Sequence, residues 1–225
     1  MASSHLKRIV APKTWPIVRK TTTMISRPKP NGQRMELTLP VVLVMREMLG
    51  LVTTAAQARK ILRTQAVTVN GKRVYDTDSA VGFMDVLAVG GKGYRVLINT
   101  NNVLTLVPVP QSEDFIIQKI SGKTTLGKDK TQLHFTSGRN LLVSKDEYKV
   151  NDSVTLGKDG KIAAHYPLNV GASILFTGGS HIGKVGVVES IVGNVIIVKS
   201  DEELFETAKR HAYVVGRGKP VITLS

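Results

Sequence analysis

The sequence predicts an α+β chain of several small modules: a basic extended segment, a module of two helices with a small β element, a central all-β module and a C-terminal β module. Three observations carry this reading. Aromatic residues make up only 5% of the 225 residues, while Val, Ile and 20 glycines are spread throughout, which suits short strands around small cores. Apolar residues follow helical spacing between Val41 and Leu62. Beyond Val67 the pattern changes to strand-like alternation cut by tight-turn dipeptides.

Residues 1–39 form the basic segment. Pro12, Pro16, Pro28 and Pro30 interrupt any helix, and R-P-K-P-N-G at 27–32 reads as turn or extended chain. Residues 1–35 hold Lys7, Arg8, Lys13, Arg19, Lys20, Arg27, Lys29 and Arg34 and no acid. Such a segment is expected to bury too little surface to order itself and to become ordered along a negatively charged surface; the competing reading is a solvated tail.

Residues 40–108 form the next module. Pro40 suits the first turn of a helix carrying Val41, Val44, Met45 and Met48 and ending at Gly50. Thr53 or Thr54 offers the cap of a second helix, on which Ala55, Ala58, Ile61 and Leu62 make one apolar stripe. Arg59, Lys60 and Arg63 gather on another face. Val67 and Val69 then alternate up to Asn70-Gly71, a dipeptide suited to a hairpin turn in which both residues need positive φ, and Lys72 and Arg73 follow it. Residues 48–75 contain no acid, so these five cations read as a compact phosphate-contacting cluster rather than an ordinary solvated face. Further strand is expected over 80–90, a turn at G-G-K-G, and a hairpin over 94–109 around Asn99 to Asn102.

Pro108 and Pro110 mark a boundary, and residues 109–169 show short strands around K-T-T-L-G-K-D-K, S-G-R-N and K-D-G-K turns. In residues 170–225, Val185 to Val192 and Val195 to Val198 flank a Gly193-Asn194 turn as a hairpin. Residues 201–209 read as a loop or a single helical turn with its acids at the N-terminal end.

The charge balance constrains function most. With 31 Lys and Arg against 17 Asp and Glu, the net charge is +14, which implies a polyanionic partner, because each phosphate neutralised releases condensed counterions. There is no cysteine, hence no disulfide and no thiolate chemistry, as suits a reducing compartment. No apolar run approaches the roughly 20 residues of a membrane span, and M-A-S-S-H-L-K-R-I-V lacks the apolar stretch of a signal peptide, so a soluble, intracellular chain is expected.

Two stretches imitate a phosphate-binding loop. Gly178 to Lys184 has the spacing, but Val185 stands where a Mg²⁺-ligating hydroxyl is needed; Gly122-Lys123-Thr124 is preceded by Ile117 at the first glycine position. Neither sits in a strand–loop–helix pattern. His5, His134, His165, His181 and His211 lack metal-ligand spacing, and no nucleophile–base set stands out. No catalytic residue, cofactor, metal or small-molecule substrate is expected.

H-L-K-R-I-V-A-P-K-T-W-P-I-V-R at 5–19 resembles the opening signature of the archaeal and eukaryotic small-subunit ribosomal proteins of the S-four-e family, with His5, Lys7, Arg8, Pro12 and Trp15 at the family's spacing. Residues 40–105 resemble that family's S-four-type RNA-binding domain, through V-N-G-K-R-V-Y-D at 69–76 and V-G-F-M-D-V at 81–86. T-Q-L-H-F-T-S-G-R-N at 131–140 is similar to its middle module. G-G-S-H-I-G-K-V-G-V-V at 178–188 resembles a KOW motif, and Y-V-V-G-R-G-K-P-V-I-T-L-S its closing segment. The chain departs from the pattern at Ser79-Ala80, where an aromatic-proline pair is expected, and at Thr136-Ser137, where His-Asp is common. Ending at Leu224-Ser225, the chain looks like the archaeal members.

The resemblance implies a structural constituent of the small ribosomal subunit in the cytoplasm, bound to small-subunit ribosomal RNA and to neighbouring ribosomal proteins, with a KOW/SH3-like β-barrel over 170–225. Its RNA contacts are expected from His5, Lys7, Arg8, Lys13, Trp15, Arg19, Lys20, Arg27, Lys29 and Arg34 in the segment. Arg46, Arg59, Lys60, Arg63, Lys72 and Arg73 would follow in the S-four-type domain, and Lys184 in the KOW-like hairpin, where Gly183 and Gly186 would permit a tight bend. Trp15 either stacks on a base or packs under the segment, and the KOW-like hairpin either presents Lys184 at its tip or serves the core alone. Two other function classes compete: a non-ribosomal transcription or translation factor using the KOW module, and an RNA-modifying enzyme with an S-four-type module attached.

Overall fold

The computed structural model describes residues 5–110, 115–127, 130–144, 147–157, 159–200 and 203–224. They divide into two compact units, one running up to Leu97 and resuming from Asn102 to Pro110, the other taking Ile98–Asn101 and everything from Phe115 onward.

In the first unit the N-terminal segment is folded, contrary to the expectation that it orders only against a partner. Residues Lys7 and Met24 form a bridge, Arg8 N–H donates to Thr23 O (2.9 Å) and Ile25 N–H to Leu6 O (3.0 Å), closing the segment into a loop. Ala11, Trp15 and Ile25 are buried in the same core as the helices that follow. Trp15 is 2% exposed and its indole N–H donates to Met35 O at 3.2 Å. Leu104 N–H donates to Thr14 O (2.8 Å), tying the segment to the unit's sheet.

The physical reason is that prolines forbid a helix but not packing. An irregular chain leaves carbonyls without partners, and arginines fill them here. Arg8 is 5% exposed; its Nε donates to Val18 O (2.5 Å), and its Nη2 meets Glu47 at 3.3 Å. Arg19 donates from Nη1 to Ala11 O and from Nη2 to Pro12 O, both at 2.6 Å.

Strand β1 (Thr38–Pro40) pairs antiparallel with β4 (Ala80–Gly82). Helix α1 (Val41–Leu43) runs on as a π-helical turn through Met48, and Val41 to Met45 are all at most 1% exposed. Gly50, at φ +63°, ends it. Helix α2 (Ala55–Thr64) starts at Thr54, whose hydroxyl accepts from Gln57 N–H, while the Gln57 side chain accepts back from Thr54 N–H. A five-stranded sheet in the order β3-β2-β5-β6-β7 follows, built from β2 (Thr68–Val69), β3 (Lys72–Arg73), β5 (Val86–Val89), β6 (Lys92–Ile98) and β7 (Leu104–Val109). The further strand expected over 80–90 is divided into β4 and β5, with Met84 at φ +67° between them.

The second unit holds two antiparallel sheets. The first has the order β10-β9-β8-β11-β12, from β8 (Ile116–Thr125), β9 (Thr131–Phe135), β10 (Asn140–Val143), β11 (Ser153–Leu156) and β12 (Ile162–Tyr166). The second has the order β16-β15-β14-β13-β17-β18, from β13 (Ala172–Phe176), β14 (Val185–Val192), β15 (Val195–Ser200), β16 (Glu203–Ala208), β17 (Ala212–Arg217) and β18 (Lys219–Pro220). Each sheet has its own core, Ile120, Leu133 and Val154 in one and Ile174, Phe176, Val198 and Val214 in the other.

Two buried polar links join these sheets. Tyr213 Oη–H donates to Ile117 O at 2.7 Å. Lys119, 4% exposed, donates from Nζ to the carbonyls of Lys209, Arg210 and Ala212 at 2.9, 2.9 and 2.7 Å. Burial pulls its pKa down to about 8. Beside it His211 is also shifted down, first by burial and then by the Arg210 and Lys119 charges.

Residues 203–208 correct another expectation: they are a strand, not a loop or helical turn. Phe205 lies opposite Val198 and is 9% exposed, so burial of one aromatic ring on the inner face outweighs the acid-rich local composition. Asp201 and Glu202 fall outside the described residues. Among the described residues no helix is long and apolar enough to cross a membrane.

Candidate nucleic-acid interface

The site is built on α2 and the β2–β3 hairpin. Ala58 and Leu62 are fully buried and fix the rotation of α2, which leaves Arg59, Lys60 and Arg63 exposed on its other side. The hairpin turns at Asn70 (φ +53°) and Gly71 (φ +76°), both in the left-handed region, and sets Val69 opposite Lys72 and Thr68 opposite Arg73.

The turn is held from behind. Asn70 Nδ2–H donates to Asp85 Oδ1 (2.8 Å), and its Oδ1 accepts from Val86 N–H (2.9 Å). Asp85 is buried, and its other oxygen accepts from Gly82 N–H at 2.7 Å. Lys72 and Arg73 are thereby presented from a fixed backbone, and both are exposed.

The helix and hairpin meet at Arg73. Its Nη2 donates to Arg63 O at 3.4 Å, and its guanidinium carbon lies 5.0 Å from the centroid of the Tyr75 ring. Tyr75 is 61% exposed, unusual for so large a ring unless it has a surface role, and sequence reasoning passed over it. The available signal was its place two residues after Arg73, just beyond the end of β3. Beside Lys60 an open groove of about 360 Å³ is lined by Gly50, Leu51, Val52, Thr53, Gln57 and Ile61.

The structure sorts the remaining expected contacts. His5, Lys7, Lys13, Lys20, Arg27 and Arg34 are exposed. Lys29 is exposed but bonded to Asp76 at 2.6 Å, which raises its pKa. Arg46 is half-buried and pairs with Glu47 at 3.1 Å.

Four residues expected at RNA are engaged within the chain itself. Arg8 and Trp15 are buried, and Arg19 spends both terminal nitrogens on backbone carbonyls, so all three hold the segment together. Lys184 is not at a hairpin tip, which is Gly193-Asn194; it precedes β14 and lies half-buried with Nζ 4.5 Å from the Phe205 ring centroid. Among the described residues no group of three His, Asp or Glu could hold a metal ion.

Residues 39–87, which contain α1, α2 and the whole cation cluster, match the model of the S4 domain, and residues 90–162 match the model of ribosomal family S4e. A small ribosomal subunit protein eS4 of Methanocella arvoryzae is 35% identical over 231 residues, which cover 99% of this chain and 98% of that protein. The chain belongs to the S4e family. Another S4e relative, the small ribosomal subunit protein eS4 of Methanosphaera stadtmanae, is 36% identical over 98% of this chain and 95% of its own. The crystal structure of the 30S ribosomal protein S4e from Thermoplasma acidophilum superposes with a TM-score of 0.71 at 27% identity, covering 80% of this chain and 96% of that one. In this member of the S4e family the acid-free surface of α2 and β3 therefore lies within the matched S4 domain.

Proposed function

We propose that this chain is a structural constituent of the small ribosomal subunit, not an enzyme, and that it binds small-subunit ribosomal RNA chiefly through Arg59, Lys60, Arg63, Lys72 and Arg73. The observation that carries the reading is the exposure of all five cations on α2 and β3, with no acid anywhere in residues 48–75. A-form RNA offers phosphates and 2′-hydroxyls rather than a readable major groove, so a rigid fan of cations recognises it by backbone shape. Tyr75, backed by Arg73, adds a ring on which an unpaired base can stack.

Lys7, Lys13, Lys20, Arg27 and Arg34 extend this basic surface from the N-terminal segment. The chain works in the cytoplasm, within the subunit and beside neighbouring ribosomal proteins. Its four-part organisation (1–39, 40–108, 109–169 and 170–225) includes a KOW/SH3-like module in the last part, supported by the motif at 178–188.

Sedimentation tests the reading. Tagged chain in a cell extract is expected to migrate with the small subunit at low salt and to stay there at high salt. Migration at the top of the gradient, or release at modest salt, would make it a free nucleic-acid-binding factor.

A further inference from the structure

Phosphate contact does not account for the groove beside the cation cluster. Its volume is about 360 Å³, and it lies between the loop at 50–53 and the face of α2 that carries Gln57, Lys60 and Ile61. These three residues are spaced i, i+3 and i+4, so helix geometry sets them side by side. Lys60 therefore belongs to two surfaces: it is one of the five exposed cations, and it lines the groove. Leu51, Val52 and Ile61 supply the apolar lining, and Leu51 is 51% exposed. A side chain on Gly50 would meet nothing within 4 Å, so that end of the groove is open.

Gln57 adds a fixed polar group. Its Oε1 accepts from Thr53 N–H (2.9 Å), Thr53 Oγ1–H (2.9 Å) and Thr54 N–H (3.2 Å). Two of these donors are backbone amides, which cannot accept, so the atom they meet is the oxygen and the outer one the nitrogen. Nε2 is thus held in place with no acceptor among the described residues. A glutamate here would accept the same bonds and suit the start of a helix better. Glutamine instead keeps the stretch 48–75 free of acid and offers a positioned donor.

We propose that this groove takes one unpaired base of the bound RNA. The base lies on Leu51 and Ile61, its acceptor edge receives a hydrogen from Gln57 Nε2, and its phosphate sits on Lys60. The proposal deepens the RNA-binding reading and rests on it. Every base has an acceptor edge and a flat apolar face, so the subsite selects unpaired over paired RNA rather than one sequence. Charge favours this occupant, because Lys60 is the one charged group lining the groove and the stretch around it holds no acid.

Binding of the full chain to small-subunit ribosomal RNA over a range of salt concentrations tests it. Leu51→Ala changes no charge and is expected to weaken binding about fivefold at every salt concentration, with the slope of log K against log salt unchanged. Gln57→Glu keeps the capping bonds but replaces the donor with an acceptor. Ala56→Glu, exposed on the same turn and outside the groove, adds the same charge alone. Gln57→Glu is expected to bind about fivefold more weakly than Ala56→Glu, with equal helix content by circular dichroism. Benzoyl-phenylalanine in place of Leu51 is expected to crosslink to an unpaired nucleotide. Wild-type affinity in Leu51→Ala, equal affinities in the two Glu variants, or an adduct to paired RNA alone overturns the proposal and leaves the five cations as the RNA surface. If the wild type binds the RNA with no dependence on salt, or not at all, the RNA-binding reading itself fails and takes this proposal with it.

Discussion

Residues 1–35 and the α2–β3 stretch are both basic and acid-free in sequence, yet their cations do different work. In the segment two arginines are consumed internally: Arg8 is buried against Val18 O and Glu47, and Arg19 is clamped on Ala11 O and Pro12 O. On α2 and β3 all five cations are exposed, with Arg73 resting on Arg63 O and the Tyr75 ring. Density of positive charge along a chain therefore does not by itself locate a phosphate-binding surface. What separates the two regions is backbone order: irregular chain recruits guanidinium groups to its own carbonyls, whereas helix and hairpin satisfy theirs and leave the cations outward.

The largest effect that would sharpen this contrast comes from deleting residues 5–35. The deletion removes Trp15, Ala11 and Ile25 from the first unit's core, and that unit is expected to lose its cooperative urea transition by circular dichroism. An intact transition would show the segment to be an accessory. Next, Trp15→Ala in the full chain should cost about 3–5 kcal/mol of that transition, the usual penalty for an emptied aromatic site. Trp15 is also the single tryptophan, so its emission without RNA should be that of a buried indole, and a water-exposed spectrum would contradict the folded segment.

A smaller effect belongs to Lys119. Its folded pKa of about 8 lies below the 10.5 of an exposed lysine, so protonation favours the unfolded chain and stability should rise as pH passes from 8 towards 10.5. Between pH 7.5 and 9.5 the wild type should gain roughly 2 kcal/mol relative to Lys119→Met, measured by urea denaturation at both pH values. A constant difference would mean that the three carbonyls hold the lysine's pKa near normal.

How much of this was legible beforehand follows from how local each signal is. Helix α2, its Thr54 cap, the Asn70-Gly71 turn and the β6–β7 hairpin each lie within a short stretch of chain, the longest from Lys92 to Val109, and spacing or turn chemistry exposes them. The five cations of the candidate site were legible for the same reason. Trp15 and Arg8 were not, because their places are set by partners far along the chain, Met35 and Glu47. Lys119 is the extreme case, an ordinary lysine in sequence whose three acceptors lie about ninety residues away. Pro-rich composition rules out a helix over residues 5–35 but not a core, since Trp15 and Ile25 pack among these prolines.

The central claim is that α2 and β3, rather than Arg8 and Arg19 of the N-terminal segment, carry the phosphate contacts. The direct test is the salt dependence of binding to small-subunit ribosomal RNA for wild type, Arg59→Ala/Arg63→Ala/Arg73→Ala, and Arg19→Ala. The triple variant should lower the slope of log K against log salt by about two to three units, roughly one for each lost phosphate contact, while Arg19→Ala leaves it unchanged. An unchanged slope in the triple variant, or a drop in Arg19→Ala, would contradict the account.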